Sequence, residues 1–224
     1  MNIIRVNDLK KVYGQGLTAT HALKSITLDI KQGEFVAIMG RSGSGKSTLL
    51  HLLGLLDAPT AGEIYIEDAN VLKLSSEASA QFRLEELGYV FQEYSLISEL
   101  TILENVYLPA LCLHKNKQYR SRAIELLDTV GLKERMSHYP NEVSGGEQQR
   151  ASIARALVNQ PKILFADEPT ASLDGASAKV VLELFRKLNQ DLKQTIVMVT
   201  HEPEDKKYVD RVVWLKDGLI ENPA

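Results

Sequence analysis

The sequence predicts an α/β fold with a mainly parallel sheet, an antiparallel β subdomain at one side and an inserted helical subdomain. Three observations carry this reading. Short runs of consecutive apolar residues (Phe35 to Met39, Tyr89 to Phe91, Ile163 to Ala166, Ile196 to Val199) each end at a glycine or a polar residue, the pattern of strands buried on both faces. A glycine-rich loop joins the first run to an apolar helix. Between the second and third runs, about seventy residues show helical spacing instead.

Taken in chain order, the first 35 residues and Gly62 to Ile66 alternate loosely, with Gly14, Gly16 and Gly33 as turn signals, which suggests antiparallel strands. Phe35 to Met39 is the first buried strand, and Leu49 to Leu56 reads as the helix after the loop. Arg120 to Val130 places Ala123, Ile124, Leu127 and Val130 on one helical face, and Glu147 to Leu157 continues in helix formers. In open α/β sheets ligands bind beyond the carboxyl ends of the strands, so Gly40, Gln92, Asp167, Glu168 and His201 are expected to converge.

The loop itself, Gly40-Arg41-Ser42-Gly43-Ser44-Gly45-Lys46-Ser47, followed by Thr48, fully matches the phosphate-loop pattern, so the core is expected to be that of a phosphate-loop NTPase. Its glycines let successive N–H groups turn inward, and the helix N-terminus adds positive dipole at the same point. Lys46 is expected at the β- and γ-phosphates and the Ser47 hydroxyl on Mg²⁺. Asp167, ending an apolar strand, suits the carboxylate that supports Mg²⁺, and Glu168 is placed to activate water.

Composition narrows the partners. With 224 residues, 44% hydrophobic and 25% charged, the chain is long enough for one domain with a sizeable core. A net charge of −3 and only short basic pairs, Lys10-Lys11 and Lys206-Lys207, argue against a nucleic-acid partner. No apolar run approaches the roughly 20 residues of a membrane helix. Met1 to Leu9 lacks the basic head and apolar run of a signal peptide, and the single cysteine, Cys112, suits a cytosolic chain. Cys112 and His114 lack further ligands for a metal site.

Beyond these elements, Asn141-Glu142-Val143-Ser144-Gly145-Gly146-Glu147-Gln148-Gln149-Arg150 looks like the signature motif of ABC transporter nucleotide-binding subunits, just upstream of the Walker B strand. The resemblance covers nearly the whole chain, with Val143 where leucine is usual and Glu147 where glutamine is common. Ser144 and Glu147 also form a capping box. The resemblance implies that Ser144, Gly145 and Gly146 bind the γ-phosphate of ATP held by a second copy, the glycines allowing close backbone approach. It further implies adenine stacking on Tyr13, a Gln92 that touches Mg²⁺ or the attacking water, an interface loop with Asp174 as its key acid, and His201 as the γ-phosphate switch. His21, His51, His114 and His138 match nothing and read as surface or packing residues.

A finer resemblance, carried by His51 to Thr60, Phe91 to Ile97 and Leu100 to Val106, is to the subgroup serving lipoprotein release and macrolide export. The implied protein is an ATPase that works as a head-to-tail homodimer, held on the cytoplasmic face of the membrane by permease subunits through Gln92 to Asn105. It is expected to be one ABC domain, with 1–91 and 161–224 as core and β subdomain and 92–160 as the helical subdomain. The alternative is a non-transport ABC-type ATPase acting on nucleic acid or in cell division. Such relatives carry coiled-coil insertions, zinc modules or a second cassette, all missing from this sequence. A GTPase is disfavoured because Asn116-Lys117-Gln118-Tyr119 lacks the aspartate of a guanine-reading motif.

Overall fold

Alternation of buried and exposed residues builds the first layer. β1 (Asn2–Tyr13), β2 (Thr20–Lys31), β4 (Ala61–Ile66) and β5 (Ala69–Asn70) form an antiparallel sheet in the order β2-β1-β4-β5. Its buried side carries Ile4, Val6, Leu9, Leu23, Ile26 and Ile30. The computed structural model describes residues 1–113 and 118–221; His114, Asn116 and Lys117 lie outside the described residues.

A second sheet runs β10-β9-β3-β8-β7-β6, from β3 (Phe35–Met39), β6 (Leu87–Val90), β7 (Ile163–Asp167), β8 (Thr195–Thr200), β9 (Arg211–Lys216) and β10 (Leu219–Glu221). All its pairings are parallel except the last, β10 with β9. Every residue of β3 and β8 is buried, because helices cover one face and the antiparallel layer with α1 (Lys46–Leu53) covers the other. Successive residues feed opposite sides: Phe35, Ala37 and Met39 join one apolar cluster, Val36 and Ile38 the other. The first cluster also takes in α3 (Ile102–Cys112), α4 (Tyr119–Thr129), α5 (Gly145–Leu157) and α6 (Gly175–Leu192). Full burial of each Leu, Val or Phe side chain there contributes about 1.5–3 kcal/mol relative to exposure.

Element boundaries differ from the sequence expectation in instructive ways. The helix expected over Leu49 to Leu56 starts at Lys46 and stops at Leu53, since Gly45 turns left-handed (φ 101°) just before it and Leu55 does so after it (φ 58°). The strand expected over Tyr89 to Phe91 is Leu87–Val90, so Gln92 lies beyond its end. α2 (Ser76–Glu86) was not anticipated: it buries no residue fully, so it has no apolar stripe to read. Among the described residues, no helix is long and apolar enough to cross a membrane.

Candidate active site

Strand register brings the site together. Met39 of β3 pairs with Thr200 of β8, and Asp167 of β7 pairs with Val199, so the residues just beyond the strand ends, Gly40, Glu168 and His201, become neighbours. The chain from Gly40 to Gly45 then folds over the start of α1. Gly43 (φ 78°) and Gly45 (φ 101°) occupy left-handed conformations, and a Cβ on Gly45 would lie 2.5 Å from the Ala22 carbonyl oxygen. Lys46 is 5% exposed, its Nζ donating to the Arg41 carbonyl at 3.2 Å. A cavity of about 610 Å³ opens here, lined by Tyr13, Ser42, Lys46, Ser47, Thr48 and Glu168. A second, of about 460 Å³, shares Ser42, Lys46 and Glu168 with it and adds Gly40, Arg41 and His201.

At the floor, the Ser47 hydroxyl donates to Asp167 Oδ1 at 3.0 Å. His51 Nε2 lies 3.3 Å from Asp167 Oδ2, and hydrogen bonding to that carboxylate raises the histidine pKa. His51 is therefore no plain surface or packing residue. Glu168 is held left-handed (φ 44°), its N–H donating to the Val199 carbonyl at 3.0 Å. That places Glu168 Oε2 3.1 Å from His201 Nδ1, while His201 Nε2 lies 3.2 Å from Glu202. A carboxylate beside an imidazole, facing a phosphate-binding loop, is an arrangement able to position and deprotonate water.

Tyr13 closes the far end of the larger cavity. Its hydroxyl donates to Asp57 at 2.8 Å, and Lys11 Nζ sits 4.7 Å over its ring while also bonding Asp57 at 2.8 Å. Burial and the bond to Asp57 raise the phenol pKa. The signature segment starts α5: the Ser144 hydroxyl accepts from the Glu147 N–H at 3.3 Å, and Glu147 accepts from the Ser144 N–H at 2.8 Å. With Arg135 also donating at 2.9 Å, Glu147 is held down at about 2 by the Ser144 backbone first and Arg135 second. Glutamate in place of the usual glutamine thus caps as a full charge at a helix N-terminus.

The sequence matches the family description "ABC transporter" over residues 23–171, more than half of the chain. The chain belongs to the ABC transporter family. It is 44% identical to the lipoprotein-releasing system ATP-binding protein LolD of Shewanella denitrificans, over 97% of this chain and 94% of that one. It is 45% identical to the macrolide export ATP-binding/permease protein MacB of Chlorobium luteolum, over 97% of this chain and 33% of that longer protein. Among solved structures, a dimeric ATP-binding cassette of Methanocaldococcus jannaschii in a post-hydrolysis state, bound to ADP and Pi, superposes with a TM-score of 0.90 at 42% identity, covering 98% and 97% of the two chains. This chain is an ATP-binding and ATP-hydrolysing cassette.

Within the cassette, the phosphate loop, Glu168, His201 and Tyr13 meet around contiguous cavities, with Asp167 behind Ser47. Three anticipated residues or groups do not join them. Gln92 is exposed and lines neither cavity, because β6 ends before it and lies two strands from β8. Asp174 is the N-cap of α6, accepting from the Ala176 and Ser177 N–H groups at 3.0 Å. Ser144 to Gly146 also lies outside both cavities, and its glycines already have a use within this chain. A Cβ on Gly145 would meet the Tyr94 hydroxyl at 2.7 Å and one on Gly146 the Ser177 hydroxyl at 2.9 Å. Sequence reading missed His51, Lys11 and Asp57; their partners lie 46 residues away in the case of Lys11 and Asp57, with no local signal to find them.

Proposed function

We propose that two copies of this chain pair head to tail, each ATP held between the phosphate loop of one and Ser144 to Gly146 of the other, to power export through membrane permease subunits. One observation carries the reading: the signature start of α5 is exposed at Ser144 yet lines neither nucleotide cavity of its own chain. A helix N-terminus that keeps unpaired N–H groups outside its own site suits a phosphate presented by a second copy.

In the proposed complex, Tyr13 stacks on adenine, the backbone of Gly40 to Gly45 with Lys46 and Thr48 cradles the phosphates, and Glu168 takes a proton from water while His201 holds the γ-phosphate. Asp174 lies where the two copies meet. Ser47 and Asp167 offer hydroxyl and carboxylate oxygens within 3.0 Å of each other, and no group of three or more acidic, His or Cys ligands occurs among the described residues. That donor set fits Mg²⁺, which keeps waters and phosphate oxygens in preference to an all-protein cage. Ser47 and Asp167 are the residues that would hold it, while Gln92, anticipated as a third ligand, lies outside both cavities of this chain. Mg²⁺, when bound, neutralises charge on the β- and γ-phosphate oxygens.

The permease contact is assigned to Gln92 to Asn105 and the groove beside it. That groove, of about 430 Å³, is lined by Leu56, Ala80, Leu84, Phe91 and Pro109 with Arg83 and Arg155, an apolar trough with two cations. Asn105 itself is buried and staples the loop, its Nδ2 donating to the Ile97, Leu100 and Thr101 carbonyls at 3.0 Å. Residues 92–160 are the unit through which nucleotide state reaches the permease. The likeness to LolD and MacB supports lipoprotein release or macrolide export; lipids or peptides as further cargo, and a place at the cytoplasmic face of the membrane, belong to the same proposal.

Ser144→Arg tests the composite site. Built into a Glu168→Gln chain, it is expected to leave ATP affinity of the monomer within about twofold, because the phosphate loop is untouched, and to abolish ATP-driven dimers in light scattering. Dimers that persist overturn the head-to-tail arrangement. Tyr13→Ala is expected to weaken ATP binding about five- to a hundredfold, the range for losing one base–aromatic stack, and Tyr13→Phe by less than about threefold, both measured with a fluorescent nucleotide.

A further inference from the structure

α5 carries a buried amide side chain with no part in the reaction above. Gln149 is fully buried, on the helix face it shares with Gly146, Ser152 and Ile153. A buried amide is costly unless its donors and acceptor are met. Here Nε2 donates to the Phe91 carbonyl at 3.3 Å and the Pro169 carbonyl at 2.6 Å, and Oε1 accepts from the Ser152 hydroxyl at 2.9 Å. Phe91 immediately precedes Gln92, and Pro169 immediately follows Glu168. One amide thus ties together the two loops that carry these residues.

Both loops hold conformations that L-residues avoid. Glu168 has φ 44°, and Tyr94 and Ser95 have φ 56° and 51°. α5 braces the second loop at two more points: Arg155 donates to the Tyr94 carbonyl at 2.8 Å and to the Ser95 carbonyl, and the Tyr94 hydroxyl lies over Gly145. Ser144, the contact assigned to the partner copy's nucleotide, caps the N-terminus of the same helix.

We propose that Gln149 is a positioning residue that sets Gln92 and Glu168 relative to each other and couples both to the signature end of α5. The inference rests on the roles given above to Gln92, Glu168 and Ser144. It acts through carbonyl groups, so it changes where those side chains stand and leaves the phosphate loop alone.

The test uses the full chain. Gln149→Met keeps the volume and removes both donors; it is expected to lower kcat by about tenfold or more, as small misplacements of reacting groups do, with fluorescent-ATP affinity within about twofold. Gln149→Asn keeps the amide but shortens its reach, and the same loss is expected, so a Met variant that fails to fold leaves the test standing. Combined with Gln92→Ala, the Gln149 loss is expected to fall short of the product of the two single effects. Turnover within about twofold of the unsubstituted chain, fully multiplying losses, or affinity falling in step with kcat each overturns the proposal. Glu168→Gln run in parallel separates the failures. Unchanged turnover there refutes the assignment of Glu168, whereas loss there with full turnover in both Gln149 variants refutes only the positioning role.

Discussion

Glu168→Gln is expected to slow ATP hydrolysis by about a hundredfold or more while ATP binding survives, the scale on which a general base contributes. Glutamine keeps the length and the hydrogen-bonding reach of the side chain, so the 3.1 Å contact with His201 has a replacement. What it lacks is a basic oxygen to take the proton of the attacking water. The backbone at this position, left-handed and tied by its N–H to Val199, is unaffected by the change. ATP should therefore bind and stay, and a dimer held together by two uncleaved γ-phosphates should accumulate. Size-exclusion chromatography with and without saturating ATP, beside a phosphate-release assay, measures both halves. A chain that remains monomeric with ATP and hydrolyses at the normal rate would remove Glu168 from the mechanism.

Lys46→Ala is expected to act earlier, on binding. Lys46 is a buried residue beneath the loop, its Nζ donating to the Arg41 carbonyl, so it is a point charge already positioned for the phosphates. Its removal takes the only lysine from the loop's interior, and ATP affinity should fall by about tenfold or more, the equivalent of roughly 1.4 kcal/mol. Turnover should drop to background. Lys46→Arg should not rescue it, since a planar guanidinium needs a different geometry from a compact ammonium at so buried a position. Calorimetric titration of ATP and a turnover assay on the three proteins decide this; hydrolysis independent of Lys46 would mean a different site.

Much of this was readable in one dimension. Phe35 to Met39 announced a strand buried on both faces, and its five residues are buried between two clusters. Gly40 to Ser47 announced a phosphate loop, and Ser144 with Glu147 announced the cap that α5 has. The misses share a cause. α2 lies on the surface without a buried stripe, so hydrophobic periodicity has nothing to register. Gln149 looked like one of a pair of glutamines in a helix, and only its burial shows that it reaches across to two other loops. Asp174, expected at an interface, is also a helix cap within its own chain, a use that the following glycine and small residues permit.

The sequence by itself determined the buried strands, the phosphate loop, the capped signature helix and membership of the ABC class, because strands, caps and glycine turns depend on residues a few positions apart. Only the tertiary structure decided which groups share a site. Ser47 meets Asp167 across 120 residues, and Gln149 meets Phe91 across 58. Parallel strands are joined by long crossovers, so the register of β3, β8 and β7 alone sets which residues beyond their ends come together. That register placed Glu168 beside His201 and left Gln92 outside, because β6 stops at Val90 at the far edge of the sheet.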